Sequence, residues 1–586
     1  MESDWVLEPT EDFRAYTTQA FKQLKIARVV LVDDLAATNI DAAAIMKAAL
    51  TSEEAKAKLQ LFFDGIDISI ENSALGSQLT VKLDQMPGEE VVKLKAALDG
   101  VGPSADAEDV ALLTERIPKE FEVIVLSPEK WAQQQEELLN WCSEDKRTLF
   151  LFDQDLDVDG MDLGFSKGAE IIKNIQDGHA EHFGSRWFCG IISHTLKKGD
   201  EVERWKLFET EFGISLRFFM PIAKENLRAE GDFFLAIYRT LINIYCEHMK
   251  KLTEAGLQKS LQAALERFDA LDPLDFEHII VKSSEKEGVS ELETLLRVYG
   301  IIHRDQVKLE FLKEAMSSQF SDAAIAVKSI ADVRRNVALD ARERLLKLRV
   351  TEVYEPANLV NGFNDPLRNG DVFEATFGTE TEQFILIAQP CDLMVRKNGQ
   401  RSREDNFKVA VVAPIEVVPA NSVQHRKPDT FLLPNFGDDG NEVGIVSFAK
   451  ATVANLRVLD LAVMHKSGHC DVEPKVLKSE AVGFASRSWA ERAKEIAKYF
   501  DKIAKQVETA RKEHGDPVAD LIAKAITPRA AMSKKFAELG TYQGSKFSYP
   551  LKRVNRVRDP LAASLLSALG AYLSRDAYEH DYSEVS

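Results

Sequence analysis

Asp33 and Asp34 close the apolar run IARVVLV, and Asp153 closes TLFLF. Ser193 ends RWFCGII, and Lys224 comes shortly after LRFFM. Apolar runs bounded by polar residues read as strands buried on both faces, as in a parallel sheet. In an open α/β sheet the C-terminal strand ends share one edge, where ligands are placed. Residues far apart in sequence can therefore converge there. Three clustered carboxylates repel one another and call for a hard cation held by oxygens, which points to Mg²⁺. A carboxylate at such a cation, beside a lysine and a hydroxyl, can attack a phosphoryl group. The cation and the lysine neutralise charge on the transferring group, and the hydroxyl bonds one of its oxygens.

The elements that must position these residues follow from the pattern. Strands are expected at Ile26–Val32, Phe121–Leu126, Leu149–Phe152, Arg186–Ser193 and Leu216–Met220. Helical segments alternate with them at Phe13–Lys25, Trp131–Trp141, Lys167–Ile175 and Trp205–Phe212. This alternation predicts an α/β domain over residues 1–230, a doubly wound sheet of five parallel strands. Residues 50–120 interrupt it and read as an insertion, with hairpin-like Asp67–Ile70 and Leu79–Leu83 and a loop over Gly100–Ala107. From 231 to 349 the period changes to 3.6, which predicts a helical connector. Residues 350–480 carry short strands and turns and read as a small β-rich domain, with a barrel as one form. Residues 481–586 are expected to be helical apart from a basic strip, Lys546–Arg558.

The N-terminal pieces resemble the receiver domain of two-component response regulators. VLVDD (30–34), LFLFD (149–153), IIS (191–193) and Lys224 carry the likeness, which covers about residues 24–230. The resemblance implies that Asp153 is the phospho-acceptor, taking the phosphoryl group from a sensor histidine kinase. It implies that Asp33, Asp34 and the main-chain carbonyl of Asp155 hold Mg²⁺ together with Asp153. Ser193 would sense the phosphoryl group and Lys224 would pair with it. Three features depart from the usual receiver. Asp34 and Asp153 are 119 positions apart, the loop after Asp153 is acidic and lacks Met-Pro, and Lys224 follows Pro221 at a distance. Such large, divergent receivers look like those beside sensor kinases in bacterial gene clusters, including phage-defence systems. There the protein would relay or buffer phosphoryl signals to a downstream effector through protein–protein contacts.

The rest of the chain narrows the classes. A net charge of −20 over 586 residues argues against a general nucleic-acid or membrane-surface binder. No run reaches the ~18–20 apolar residues of a membrane span, and the acidic N-terminus has no signal core, so a cytoplasmic protein is expected. The five cysteines are scattered and read as reduced thiols. Several alternatives stay open. Asp155–Gly160 has the start of a calcium loop, but Ser166 stands where its closing Glu belongs. Cys391 could be a nucleophile with His425, His465 or His469 as base, which would make the C-terminal half an enzyme regulated by the receiver. His469, Cys470 and Asp471 with Cys391 are a scattered zinc set. The strip with Arg553, Arg556 and Arg558 could meet phosphate or nucleic acid, or pair with the protein's own acidic surface. The helices of 231–349 could dimerise. A receiver-like scaffold without phosphoryl chemistry is the remaining alternative.

Overall fold

The computed structural model describes residues 13–34, 105–156, 163–331, 342–377, 379–401, 408–423, 429–477, 486–530 and 540–574. The chain divides into two compact units, each drawn from two stretches of sequence. Unit 1 is Met1–Gln262 with Gln306–Ala338, and unit 2 is Ala263–Asp305 with Leu339–Ser586.

Unit 1 is built on five parallel strands: β1 (Ile26–Val32), β2 (Glu122–Leu126), β3 (Arg147–Asp153), β4 (Trp187–Ser193) and β5 (Phe219–Ala223). Their order in the sheet is β2-β1-β3-β4-β5. Helix α1 (Phe13–Gln23) precedes β1, and α2 (Ala105–Arg116) leads into β2. Helices α3 (Pro128–Trp141), α4 (Gly168–His179) and α5 (Glu201–Phe212) make the later crossovers. β1, β3 and β4 are buried almost throughout, which is why they read as continuous apolar runs. Trp131 of α3 packs edge-on against Phe150 and Phe152, with ring centroids 5.6 and 5.2 Å away. One charge lies inside β1. Arg28 donates to Thr148 Oγ1 and to the Leu138 carbonyl and stacks 3.7 Å from the Trp141 ring centre, contacts that offset part of the cost of its burial. The chain leaves β1 for β2 on one side and returns to β3 on the other. The C-terminal ends of β1 and β3 therefore flank a switch point, the position where open α/β sheets form a binding crevice.

Two expectations shift. The fifth strand begins at Phe219 rather than Leu216. Ser215 accepts from the Arg217 N–H and starts a 3-10 turn over Leu216–Phe218. Asn243, on α6 (Glu230–Asp269), holds that turn by donating to the carbonyls of Leu216, Arg217 and Phe219. Pro221 is tolerated inside β5 because β5 is the edge of the sheet. Lys224 thus follows the strand directly. Within 50–120, the hairpin at Asp67–Ile70 and Leu79–Leu83 lies outside the described residues. The end of that stretch is α2, which starts at Ala105 inside the expected loop Gly100–Ala107.

Beyond α6 come α7 (Glu291–Phe311), α8 (Glu314–Ala331) and α9 (Arg342–Val353), the helical stretch expected from the 3.6 period. Unit 2 holds an antiparallel sheet. Its strands are β6 (Tyr354–Pro356), β7 (Asp371–Phe377), β8 (Glu380–Ile387), β9 (Val409–Pro419), β10 (Thr430–Phe436), β11 (Glu442–Ser447), β12 (Thr452–Asn455), β13 (His469–Val472), β14 (Thr541–Gln543) and β15 (Lys546–Val557). The order is β10-β11-β9-β8-β7-β15-β13, with β12 on β9 and with β6 and β14 on β15. Among the described residues this order does not close into the barrel that the short strands suggest. The basic strip is itself a strand, β15, and joins the sheet from beyond residue 480. Helices α10 (Arg487–His514), α11 (Asp516–Ile526) and α12 (Leu561–Leu573) complete the unit. Among the described residues no helix is long and apolar enough to cross a membrane.

Candidate functional site

The sheet edge gathers the residues that the sequence leaves far apart. Asp33 follows β1 directly, and its N–H donates to the Leu126 carbonyl at the end of β2. Asp153 is the last residue of β3. Asp33, Asp34 and Asp153 each bring a carboxylate oxygen within 4.8 Å of the others. Lys224 reaches in from the end of β5. Its Nζ lies 2.6 Å from Asp153 Oδ2 and 3.7 Å from Asp33 Oδ2. Asp33, Asp153 and Lys224 are each at most 5% exposed, and Asp34 is half-buried. Among the described residues one ammonium faces three carboxylates in a mostly buried place. Asp153 Oδ1 is also buried and has no hydrogen-bond partner. A buried carboxylate oxygen left unbonded is costly. The donor set suits a hard cation with oxygen ligands, and the unbonded oxygen marks where such an ion would be welcome.

Ser193 ends β4, between the strands that carry Asp153 and Lys224. Ile192 pairs with Asp153, and Ser193 itself pairs with Ala223, the residue before Lys224. Its hydroxyl shares a 2.8 Å hydrogen bond with Thr195 Oγ1 and accepts from the Thr195 N–H. Asp155 makes a bridge with Lys167. The hydrogen bonds of that bridge run from Leu156 N–H to the Ser166 carbonyl and from Gly168 N–H to the Gln154 carbonyl. The carbonyl of Asp155 is therefore not consumed by the bridge.

Residues that sequence reading passed over hold this edge in place. A Cβ on Gly168 would stand 2.3 Å from the Asp153 carbonyl oxygen, so only glycine lets α4 start this close to the end of β3. The buried Gln154 accepts from the Ala169 N–H through Oε1. Glu170 accepts from the N–H groups of Ser166 and Lys167, fixing the first turn of α4. On the far side, Glu201 is buried and accepts from Gly199 N–H and from Asn226 Nδ2 at 2.9 Å. Asn226 is two residues past Lys224, so the loop after β4 and the turn after β5 are tied together.

No protein-family model matches the chain, and no curated protein or solved structure matches it.

Among the described residues the other candidates are not brought together into a site. Cys391 is exposed, and its hydrogen-bond partner is Gln389. His425 lies outside the described residues. His465 is held by Asp471, whose Oδ1 is 2.7 Å from Nε2. Along β13, His469 is exposed and Cys470 is fully buried, because neighbouring strand residues face opposite ways. The scattered zinc set is not among the metal-capable clusters of the described residues. In the basic strip, Arg553 and Arg556 are buried and pair with Asp371, with Asp365 beside Arg556. They meet the protein's own carboxylates rather than offering a phosphate-binding face. The acidic loop at 157–162 lies outside the described residues.

Proposed function

We propose that unit 1 is a divergent, doubly wound receiver domain of the response-regulator type, whose Asp153 accepts a phosphoryl group from a sensor histidine kinase. The observation that carries this reading is the convergence of Asp33, Asp34 and Asp153 within 4.8 Å, with Lys224 Nζ at 2.6 Å from Asp153, on a β2-β1-β3-β4-β5 sheet. Asp33, Asp34, Asp153 and the Asp155 carbonyl are the residues to hold Mg²⁺. When bound, the ion neutralises charge on the phosphoryl oxygens. An Asp153 carboxylate oxygen forms the new bond to phosphorus. The bond from phosphorus to the kinase imidazole breaks, and its electron pair stays on that nitrogen. Lys224 pairs with the acyl phosphate, and Ser193 turns from Thr195 to donate to a phosphoryl oxygen. Water later hydrolyses the acyl phosphate and restores the carboxylate. The site is thus a phosphoryl acceptor that resets itself.

The phosphorylated and free forms differ at the ends of β4 and β5, which unit 1 presents to partners. The chain then relays or buffers the signal toward a downstream effector by protein–protein contact. Bacterial phage defence is the setting that the resemblance suggests.

The test is intact-mass spectrometry after incubation with Mg²⁺ and acetyl phosphate, wild type beside Asp153→Ala. A gain of one phosphoryl mass that the variant lacks is expected. No gain, together with a melting temperature indifferent to Mg²⁺, would replace this reading with a receiver-like scaffold.

A further inference from the structure

We propose that His179, Glu181 and His182 form a site for one divalent transition cation of the zinc class, separate from the acidic cluster at Asp153. The three residues each place a ligand atom within 4.8 Å of the others. Local backbone geometry brings this about. His179 ends α4 with φ −149° and ψ 34°, outside the helical region. A 3-10 turn, Ala180–His182, follows. His179 caps this turn, and its ring stacks on that of His182, so the two project from one side.

The rings are held, not loose. They stack with an interplanar angle of 17° and centroids 6.1 Å apart. Both stand edge-on to Trp187, at 6.1 and 5.4 Å. Trp187 is 1% exposed and is the first residue of β4, so the wall behind the imidazoles is part of the core. Glu181 Oε1 lies 3.4 Å from His182 Nε2. No hydrogen bond to the described residues holds the His179 ring, so its nitrogens are not committed elsewhere.

The donor set decides the metal. Two imidazoles and one carboxylate favour zinc and its neighbours over Mg²⁺ or Ca²⁺, which prefer oxygen alone. A tetrahedral zinc with bonds of about 2.0–2.1 Å needs ligand atoms roughly 3.3 Å apart, which exposed side chains reach by small rotations. Three protein ligands leave a fourth position for water or for a donor from a partner. The site lies at the start of β4, whereas Ser193 lies at its other end. The imidazole-containing site and the all-oxygen cluster thus lie at opposite edges of the parallel sheet.

The experiment is calorimetric titration of the full chain with ZnCl₂ in saturating Mg²⁺, which keeps the acidic cluster occupied. One zinc per chain is expected. His179→Ala and His182→Ala should each weaken binding at least tenfold, and Glu181→Gln less. Asp33→Asn/Asp153→Asn should leave it unchanged. Co²⁺ in place of zinc should give a four-coordinate visible spectrum that the histidine variants lose. Glu181→Gln guards against a histidine variant that fails to fold. No zinc binding, or binding unchanged in His179→Ala/His182→Ala, overturns the proposal.

Discussion

Lys224 Nζ lies 2.6 Å from Asp153 Oδ2 and 3.7 Å from Asp33 Oδ2, so one buried ammonium is shared by the ends of β1 and β3. It opposes only part of the carboxylate charge around it. Lys224→Met removes that share and leaves buried carboxylates facing one another. Losing one partner of a buried pair costs about 3–5 kcal/mol. The variant should unfold earlier than wild type in EDTA. Saturating Mg²⁺ should restore more stability to it than to wild type, because the ion then meets the full negative charge. Thermal melts with and without Mg²⁺ measure both effects. An equal response to Mg²⁺ in the two proteins would show that these carboxylates do not hold the ion.

Gly168 and Gly178, both on α4, should respond to alanine with opposite signs. At Gly168 the added Cβ would sit 2.3 Å from the Asp153 carbonyl oxygen and 2.9 Å from Phe152 Cβ. Backbone has to move, so a loss of about 1–3 kcal/mol is expected, with a weaker stabilisation by Mg²⁺ as Asp153 shifts. At Gly178 nothing lies within 4 Å, so alanine meets open space. There a gain of about 0.5–1 kcal/mol should follow from better helix propensity. Denaturant midpoints of the two variants decide it. A stable Gly168→Ala with an unchanged Mg²⁺ response would mean that the close start of α4 does not position Asp153.

How far the sequence showed this arrangement depends on what each residue asks of its neighbours. The strands ending at Val32, Asp153 and Ser193 were legible because burial on both faces leaves an unbroken apolar run. The start of β5 was not, because the 3-10 turn at Leu216–Phe218 is held by Asn243, a residue on a later helix. At β15 charge alone left two readings open, an outside phosphate or nucleic acid and the protein's own acidic groups; Arg553 and Arg556 are buried against Asp371, 182 and 185 positions away, a pairing that no local pattern announces. The pairing of Glu201 with Asn226 leaves no local trace. His179, Glu181 and His182 did leave one, the tetrapeptide HAEH, whose histidine spacing is that of one helical turn.

The cysteines should separate cleanly by reactivity. Cys391 is exposed, whereas Cys142, Cys189 and Cys470 are buried. Burial pushes the Cys470 thiol up to about 12 and the Cys189 thiol well above its ordinary range. Buried, protonated thiols are poor nucleophiles. Iodoacetamide at neutral pH should label Cys391 first, and the three buried thiols only on unfolding. Peptide mapping after a short exposure reads this directly. Rapid labelling that persists at Cys470 in Cys391→Ala would contradict the packing of β13 against β15.

The buried charges of unit 2 should make it acid-sensitive in a way one substitution can isolate. Asp371 is fully buried, and burial by itself works to raise its pKa. The guanidinium groups of Arg556 and Arg553 outweigh that and hold the carboxyl below its usual range. Asp460 is held low in the same manner by Arg401 and Arg492. A carboxyl whose folded pKa lies below its unfolded value of about 3.9 stabilises the fold fully above that pH. The contribution is lost as pH falls through the folded pKa. Asp371→Asn should therefore cost about 3–5 kcal/mol near neutrality, since it takes the paired carboxylate from buried Arg553 and leaves buried Arg556 only Asp365 and Glu355. Below about pH 4 the unfolded chain takes up this proton before the folded one does, so the contribution declines and the gap between the two proteins should narrow. Urea midpoints for both proteins at pH 7 and pH 3 measure that gap. A gap of the same size at both values would mean that Asp371 is not held ionised by Arg553 and Arg556.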